Sequence, residues 1–275
     1  MQNEDLPNLT VAGYHLLERV GEGGTATVYR AQHAERGVCA VKVLRAKLRA
    51  DRTAVQRFLR EASFGARVKH AAVVETYGFG EADGLHYLAL EWAEGEILAK
   101  FVRRSGPLAP ALAATIVQQI SDALDAAHKA GIIHRDLKPE NVIYDPRTQR
   151  ARLLDFGIAR DAEAKPEERL TRTGFFVGTL QYVAPEALSG ELVGEPADIY
   201  SLATIAYFLL TTQLPYSGKS PRELFHMLLT QPPTPLGQAR RDLVFAREFS
   251  EAVSQPLGAG RGGLLGSLKG IFGGR

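Results

Sequence analysis

The run His134-Arg-Asp-Leu-Lys-Pro-Glu-Asn141, followed by Asp155-Phe-Gly157, gathers side chains of a kind that do chemistry. Asp136, Asn141 and Asp155 offer hard oxygen ligands or bases within polar loops. Magnesium takes such oxygens and keeps several waters, so one or two carboxylates plus phosphate oxygens suffice to hold it. Upstream, Gly21-Glu-Gly-Gly-Thr-Ala-Thr-Val28 lies between two strand-like segments. Its glycines let the backbone turn tightly and bring N–H groups close to phosphate oxygens, although a ligand-free hairpin has the same composition. Cys39-Ala-Val-Lys42 is a strand that ends in a lysine, and Glu61 on the next helix is placed to pair with it. A lysine held by a carboxylate presents its ammonium to phosphate oxygens from a fixed position.

These groups need elements to carry them. Tyr14–Gly21, Thr27–His33 and Gly37–Leu44 read as strands, being short, β-branched or aromatic, and bounded by turn residues. Val73–Gly80 and Leu85–Glu91 flank Asp83-Gly84, a hairpin turn. Between them, Val55, Phe58, Leu59, Ala62 and Ala66 make one face of a helix over Arg52–Val68, capped by Thr53. Beyond residue 95 the pattern turns helical. Leu112, Ile116, Ile120, Ala123, Leu124 and Ala127 form one stripe, and Pro196–Thr211 a second, very apolar helix. A small β-rich part therefore precedes a larger helical part, the two joined near Trp92–Gly95. From about residue 241 to 275 the chain becomes glycine-dense and reads as a tail or linker.

Composition sets the outer bounds. The chain has 275 residues, 45% hydrophobic and 23% charged, as expected of a protein with a sizeable core. A formal charge of +2 makes no strong field for nucleic acid or anionic lipid. The lone Cys39 forms no internal disulfide, which fits a reducing, cytoplasmic compartment. The longest apolar stretch, Tyr200–Leu210, is far too short to span a bilayer.

Taken in order, the motifs resemble those of the protein kinase family, and within it the bacterial eukaryotic-like serine/threonine protein kinases. The resemblance runs from about Tyr14 to Leu236, through Ala184-Pro-Glu186 and Asp198. Gly23-Gly24, Leu137–Asn141 and Gly178-Thr-Leu-Gln-Tyr182 carry its bacterial character. It implies an α+β, two-lobed fold over 14–240, with a β-rich lobe at about 14–92 and a helical lobe at about 95–240. It also implies transfer of the γ-phosphoryl group of ATP, with Mg2+ or Mn2+, to serine or threonine hydroxyls of protein substrates, in signalling. By the same resemblance Val20, Gly21, Glu22, Gly23, Gly24 and Val28 cover the phosphates, and Lys42 contacts them while pairing with Glu61. Asn141 and Asp155 hold the metal. Asp136 orients the hydroxyl and accepts its proton, and Lys138 steadies the transferring group. Adenine lies between Val28 and Ala40 above and Ile143 below, with Leu90 behind and backbone groups of Glu91 and Ala93 bonding the base. His134, Thr179, Glu186 and Asp198 are implied scaffold residues. Arg135 awaits an anion, which phosphorylation of Thr171 or Thr173 by a second copy of the chain would supply.

Three departures accompany the resemblance. Ala26 stands at the usual third loop glycine, which is tolerable where φ stays negative. Gly65 falls in the helix that carries Glu61. After Leu236 no motif identifies the arginine expected to pair with Glu186; Arg240, Arg241 and Arg247 are the candidates. An unusual end to the helical lobe keeps a second reading open, a nucleotide-binding pseudokinase or scaffold. Leu264, Leu265, Leu268, Ile271 and Phe272 would share a helical face in the tail, but its glycines favour disorder.

Overall fold

The computed structural model describes residues 6–156, 180–188, 193–218 and 220–240. Six antiparallel strands form the first layer: β1 (Thr10–Val11), β2 (Tyr14–Glu22), β3 (Ala26–His33), β4 (Gly37–Leu44), β5 (Thr76–Ala82) and β6 (Leu85–Glu91). Their order is β1-β2-β3-β4-β6-β5. Successive side chains of a strand point to opposite faces, and β4 uses this to sort its residues. Cys39, Val41 and Val43 pack with Tyr29, Leu16 and Ala89 on one face. Leu44 packs on the other with Phe58 and Ala62 of helix α1 (Arg52–Gly65), and Ala40 lies against that cluster. Lys42 shares the parity of Ala40 and Leu44, so it too faces the helix side.

Helix α1 starts one residue before Thr53. Its N-cap is Asp51, whose Oδ1 accepts from Thr53 N at 2.9 Å and Ala54 N at 3.2 Å. Both residue types cap well, and aspartate adds a negative charge at the positive end of the helix dipole. The helix ends at Gly65, short of Val68. The strand expected from Val73 begins only at Thr76, because the preceding residues are paired elsewhere. Leu153 N donates to Ala72 O at 2.8 Å and Val74 N to Leu153 O at 2.9 Å, tying this segment to the helical half.

That half holds α2 (Leu98–Ser105), α3 (Pro110–Lys129), α4 (Pro185–Leu188), α5 (Glu195–Thr211), α6 (Pro221–Thr230) and α7 (Leu236–Ala239). α5 is buried on all sides, as a helix without a polar face must be. The stripe of α3, including Ile116, Ile120, Leu124 and Ala127, packs with Leu202, Ile205 and Leu209 in one core. A three-stranded sheet missed by the sequence reading crosses this half: β7 (Glu96–Ile97), β8 (Val142–Asp145) and β9 (Arg150–Leu153). With two to four residues each, its strands are too short to show a period. The molecule is thus the two-part α+β fold expected, an antiparallel sheet with one helix followed by a helical half. No described helix is long and apolar enough to cross a membrane.

Candidate active site

The loop from His134 to Asn141 joins α3 to β8, and one buried carboxylate holds its start. Asp198, in the first turn of α5 and 0% exposed, accepts from His134 N at 2.8 Å and Arg135 N at 2.9 Å. His128 Nε2, at the end of α3, lies 2.8 Å from the same carboxylate. These bonds keep Arg135 at φ 64°, a left-handed conformation that a non-glycine residue leaves unless its surroundings hold it. The turn at Arg135 brings Asp136 round. Its Oδ2 accepts from Lys138 Nζ at 2.8 Å and Asn141 Nδ2 at 3.2 Å, and Asn141 Nδ2 also donates to Asp136 O at 2.8 Å. Asn141 thereby spends its amide N–H groups inside the loop, and its Oδ1 accepts no hydrogen bond among the described residues.

His134 is fully buried, with its ring 5.3 Å from that of Phe156. Burial lowers its proton affinity, and its Nδ1 accepts from Asp136 N at 3.3 Å, so the ring is neutral and packs as a spacer. Leu154 N donates to Asn141 O at 2.8 Å, which sets Asp155 beside the loop. Asp155 in turn makes an ion pair with Lys42, across the two halves of the molecule.

That pair corrects one expectation. Lys42 is joined to Asp155, and Glu61 makes no ion pair or hydrogen bond among the described residues. Burial and the Asp155 charge push the Glu61 carboxyl up to about 7. The single ammonium of Lys42 serves the carboxylate nearer to it, and Glu61 is left in a pocket where losing its proton is costly. The pocket is lined by Gly65, Thr76, Leu88, Leu90 and Phe156 as well. A Cβ on Gly65 would stand 3.4 Å from Thr76 Oγ1 and 3.7 Å from Phe156 Cδ2, so the absence of a side chain there leaves the space open.

The glycine loop closes by a turn, with Gly23 N donating to Ala26 O at 2.8 Å, and Ala26 has no positive φ. Gly21 pairs with Val28, and Glu22 with Thr27. The Glu22 carboxylate bridges Arg19 at 3.1 Å and Arg45 at 2.9 Å, while Arg45 Nη1 donates to Gly23 O at 3.2 Å. Val20 is exposed, at 46%. Ala40 pairs with Leu90 across β4 and β6, and both join Ala93 and Ile143 in one apolar cluster. The chain then passes Gly95 at φ 116°, where a Cβ would lie 2.4 Å from Tyr144 O. Only glycine lets the connection approach β8 this closely.

Several implied residues are placed elsewhere. Thr171, Thr173, Thr179, Gly157, Arg241, Arg247 and the tail lie outside the described residues. Glu186 stands in the first turn of α4. Arg240 Nη1 donates to the carbonyls of Leu108 at 2.7 Å and Leu210 at 2.9 Å, fastening the end of α7 to the helical core. The sequence reading missed His128, Arg45, Arg152 and the close approach at Gly95. Only the last left a local signal, a glycine at the end of the joining segment.

The arrangement sets hard oxygens, the Asp136 carboxylate and two lysines along one cleft between the sheet and the helical half. The family model described as Protein kinase domain matches residues 14–256. The serine/threonine-protein kinase PknH of Mycobacterium tuberculosis is 41% identical over 208 residues, covering 75% of this chain and 33% of that protein. This chain thus spans about a third of that relative's length. The crystal structure of the Mycobacterium tuberculosis PknI kinase domain is similar with a TM-score of 0.71 at 28% identity, over 96% of each chain. Rad53 1-466 in complex with AMP-PNP matches with a TM-score of 0.72 at 26% identity, over 93% of this chain and 64% of that one. This chain belongs to the protein kinase domain family.

Proposed function

We propose that this chain transfers the γ-phosphoryl group of ATP to serine or threonine hydroxyls of proteins. The observation that carries the reading is the cluster at Asp136. One carboxylate oxygen accepts from Lys138 and Asn141 together, beside an Asp155 already joined to Lys42. The names of the bacterial relatives support serine/threonine chemistry, and the AMP-PNP complex of Rad53 supports an adenine nucleotide in the cleft.

The donor set fits a hard divalent cation, with Mg2+ first and Mn2+ an alternative. Asn141 turns its N–H groups inward and keeps Oδ1 for a ligand, and Asp155 supplies a carboxylate at the neighbouring position. When bound, such an ion neutralises phosphate charge. Asp136 orients the substrate hydroxyl and takes its proton as the oxygen bonds to the γ-phosphorus and the bond from that phosphorus to the departing ADP oxygen breaks. Lys138, held on that carboxylate, stands beside the charge that gathers on the equatorial oxygens. Lys42 clamps the remaining phosphates, and the glycine loop excludes water above them. Ala40, Leu90 and Ile143 enclose the adenine, whose edge meets the backbone of Glu91 and Ala93. Thr171 and Thr173 are the proposed autophosphorylation sites, which makes a second copy of the chain a transient partner.

Intact-mass spectrometry after incubation with ATP and magnesium tests the reading, beside an Asp136→Ala control. Mass added in steps of one phosphate to the unaltered protein alone supports it, and fragmentation locates the sites. A folded protein that binds nucleotide and gains no mass is a nucleotide-binding scaffold, and the reading fails.

A further inference from the structure

The side chain of Glu91 is gripped at both oxygens by one arginine. Arg152 Nη1 donates to Oε1 and Nη2 to Oε2, each at 2.5 Å. Nη2 also donates to the Val73 carbonyl at 3.0 Å. The side chains are 19% and 29% exposed, so water screens the pair only in part. A planar guanidinium that meets a carboxylate with two parallel bonds fixes orientation as well as distance.

The place of this pair gives it a consequence beyond stability. Arg152 on β9 stands directly across from Ile143 on β8. Opposed residues of an antiparallel pair project from the same sheet face. The next pair, Val142 and Leu153, is fully buried on the other face, in the helical core. One face of this small sheet therefore carries both Ile143, the floor of the adenine slot, and the guanidinium that reaches the end of β6. Glu91 N is itself held by Glu75 O at 2.9 Å. The segment carrying Glu75 is bonded to Leu153 through Ala72 O and Val74 N. Arg152 closes this circuit, joining the slot's floor, the connecting segment and the backbone edge that meets the base.

We propose that Arg152 is a positioning residue for nucleotide binding, setting the spacing between the Glu91 backbone edge and the Ile143 floor through the Glu91 carboxylate. The inference rests on the adenine slot assigned above. Adenine is held alike before and during transfer, so the effect falls on affinity and leaves the chemical step nearly alone.

Steady-state kinetics of the full chain with varied ATP, paired with calorimetric Kd values for AMP-PNP and a Tm for each variant, provide the test. Arg152→Ala raises KM for ATP and the AMP-PNP Kd about tenfold, with kcat within about twofold. Arg152→Lys, a point charge that cannot grip both oxygens, falls between the two, at about threefold. Exchanging the charges in an Arg152→Glu, Glu91→Arg double variant recovers part of the affinity lost in Arg152→Glu. Should Arg152→Ala not fold, the lysine variant and the exchange carry the test. Unchanged KM and Kd in folded Arg152→Lys and Arg152→Glu, or a fall in kcat at constant KM, overturns the proposal. Unaltered protein that transfers phosphate while the variants bind normally refutes the positioning role alone. Unaltered protein that binds no nucleotide removes the slot and the proposal together.

Discussion

The loop around Asp136 and the helix carrying Glu61 face the same cleft and are held in opposite ways. Three donors converge on the buried Asp198, and Arg135 is kept in a left-handed turn by them. Asp136, Lys138 and Asn141 are bonded to one another. Glu61, by contrast, faces a pocket with no partner among the described residues, and Lys42 is engaged by Asp155. On the proposed function, the groups that aim the proton are held by hydrogen bonds within the loop and to Asp198. On the same reading, the groups that hold the nucleotide complete their contacts when it binds. This division is expected where catalysis depends on preorganised charge and binding on closure around a ligand.

The sharpest way to separate the two regions is to disable one. Asp136→Asn keeps the shape of the loop and removes the base, so the transfer rate falls by about a thousandfold. AMP-PNP affinity should stay within about threefold, because Asn141 is still held by the Asp136 main-chain carbonyl and the Lys42–Asp155 pair does not touch that oxygen. A parallel loss of binding, read by calorimetry, would mean that the regions are not independent.

Asp198→Ala attacks the anchor. Three donors lose their acceptor in the core, at a cost of about 4 kcal/mol. Tm should drop by about 12 °C. Arg135 would then relax from its left-handed turn, and kcat should fall more than KM rises. A Tm shift under about 3 °C would show that the loop is held by something other than this carboxylate.

Glu61 supplies the pH dependence. Its folded proton affinity, at about 7, lies above its ordinary value of 4.5, so the folded chain binds more protons between those values. Stability from this group is fully present below about 4.5 and is lost as pH rises through about 7, by up to about 3 kcal/mol. Glu61→Gln, fixed neutral, should flatten that slope and raise Tm at pH 8. Denaturation curves from pH 5 to 8 that keep the same slope in the variant would assign it elsewhere. The smallest effect belongs to Arg45→Ala. It removes one of the two ion pairs of Glu22 and the bond to Gly23 O at the loop tip, and KM for ATP should rise about twofold to threefold, as suits a partly exposed pair.

Local pattern made much of the scaffold readable. The alternation along β4 put Lys42 with Ala40 and Leu44 because strand geometry leaves no other choice. Asp83 and Gly84 take φ 53° and 74°, the pair of positive values that their hairpin requires. What escaped notice was non-local. Lys42 has two carboxylates within its chain's reach, and the preferred one is 113 residues away in sequence. The choice depends on where α1 sits over the cleft, which no spacing encodes. The Glu91–Arg152 pair spans 61 residues and joins two strands of different sheets, one too short for its period to register. His128 looks like any polar residue near a helix end until α5 brings Asp198 against it.

Hydrogen–deuterium exchange with and without AMP-PNP and magnesium tests the division most directly. A catalytic loop set in advance keeps the same protection at His134, Arg135 and Asp136 in both states, while α1 around Glu61 gains protection only with nucleotide. If the loop amides also slow markedly on binding, or α1 is already fully protected without ligand, the loop is not preformed and the contrast between the two regions is wrong.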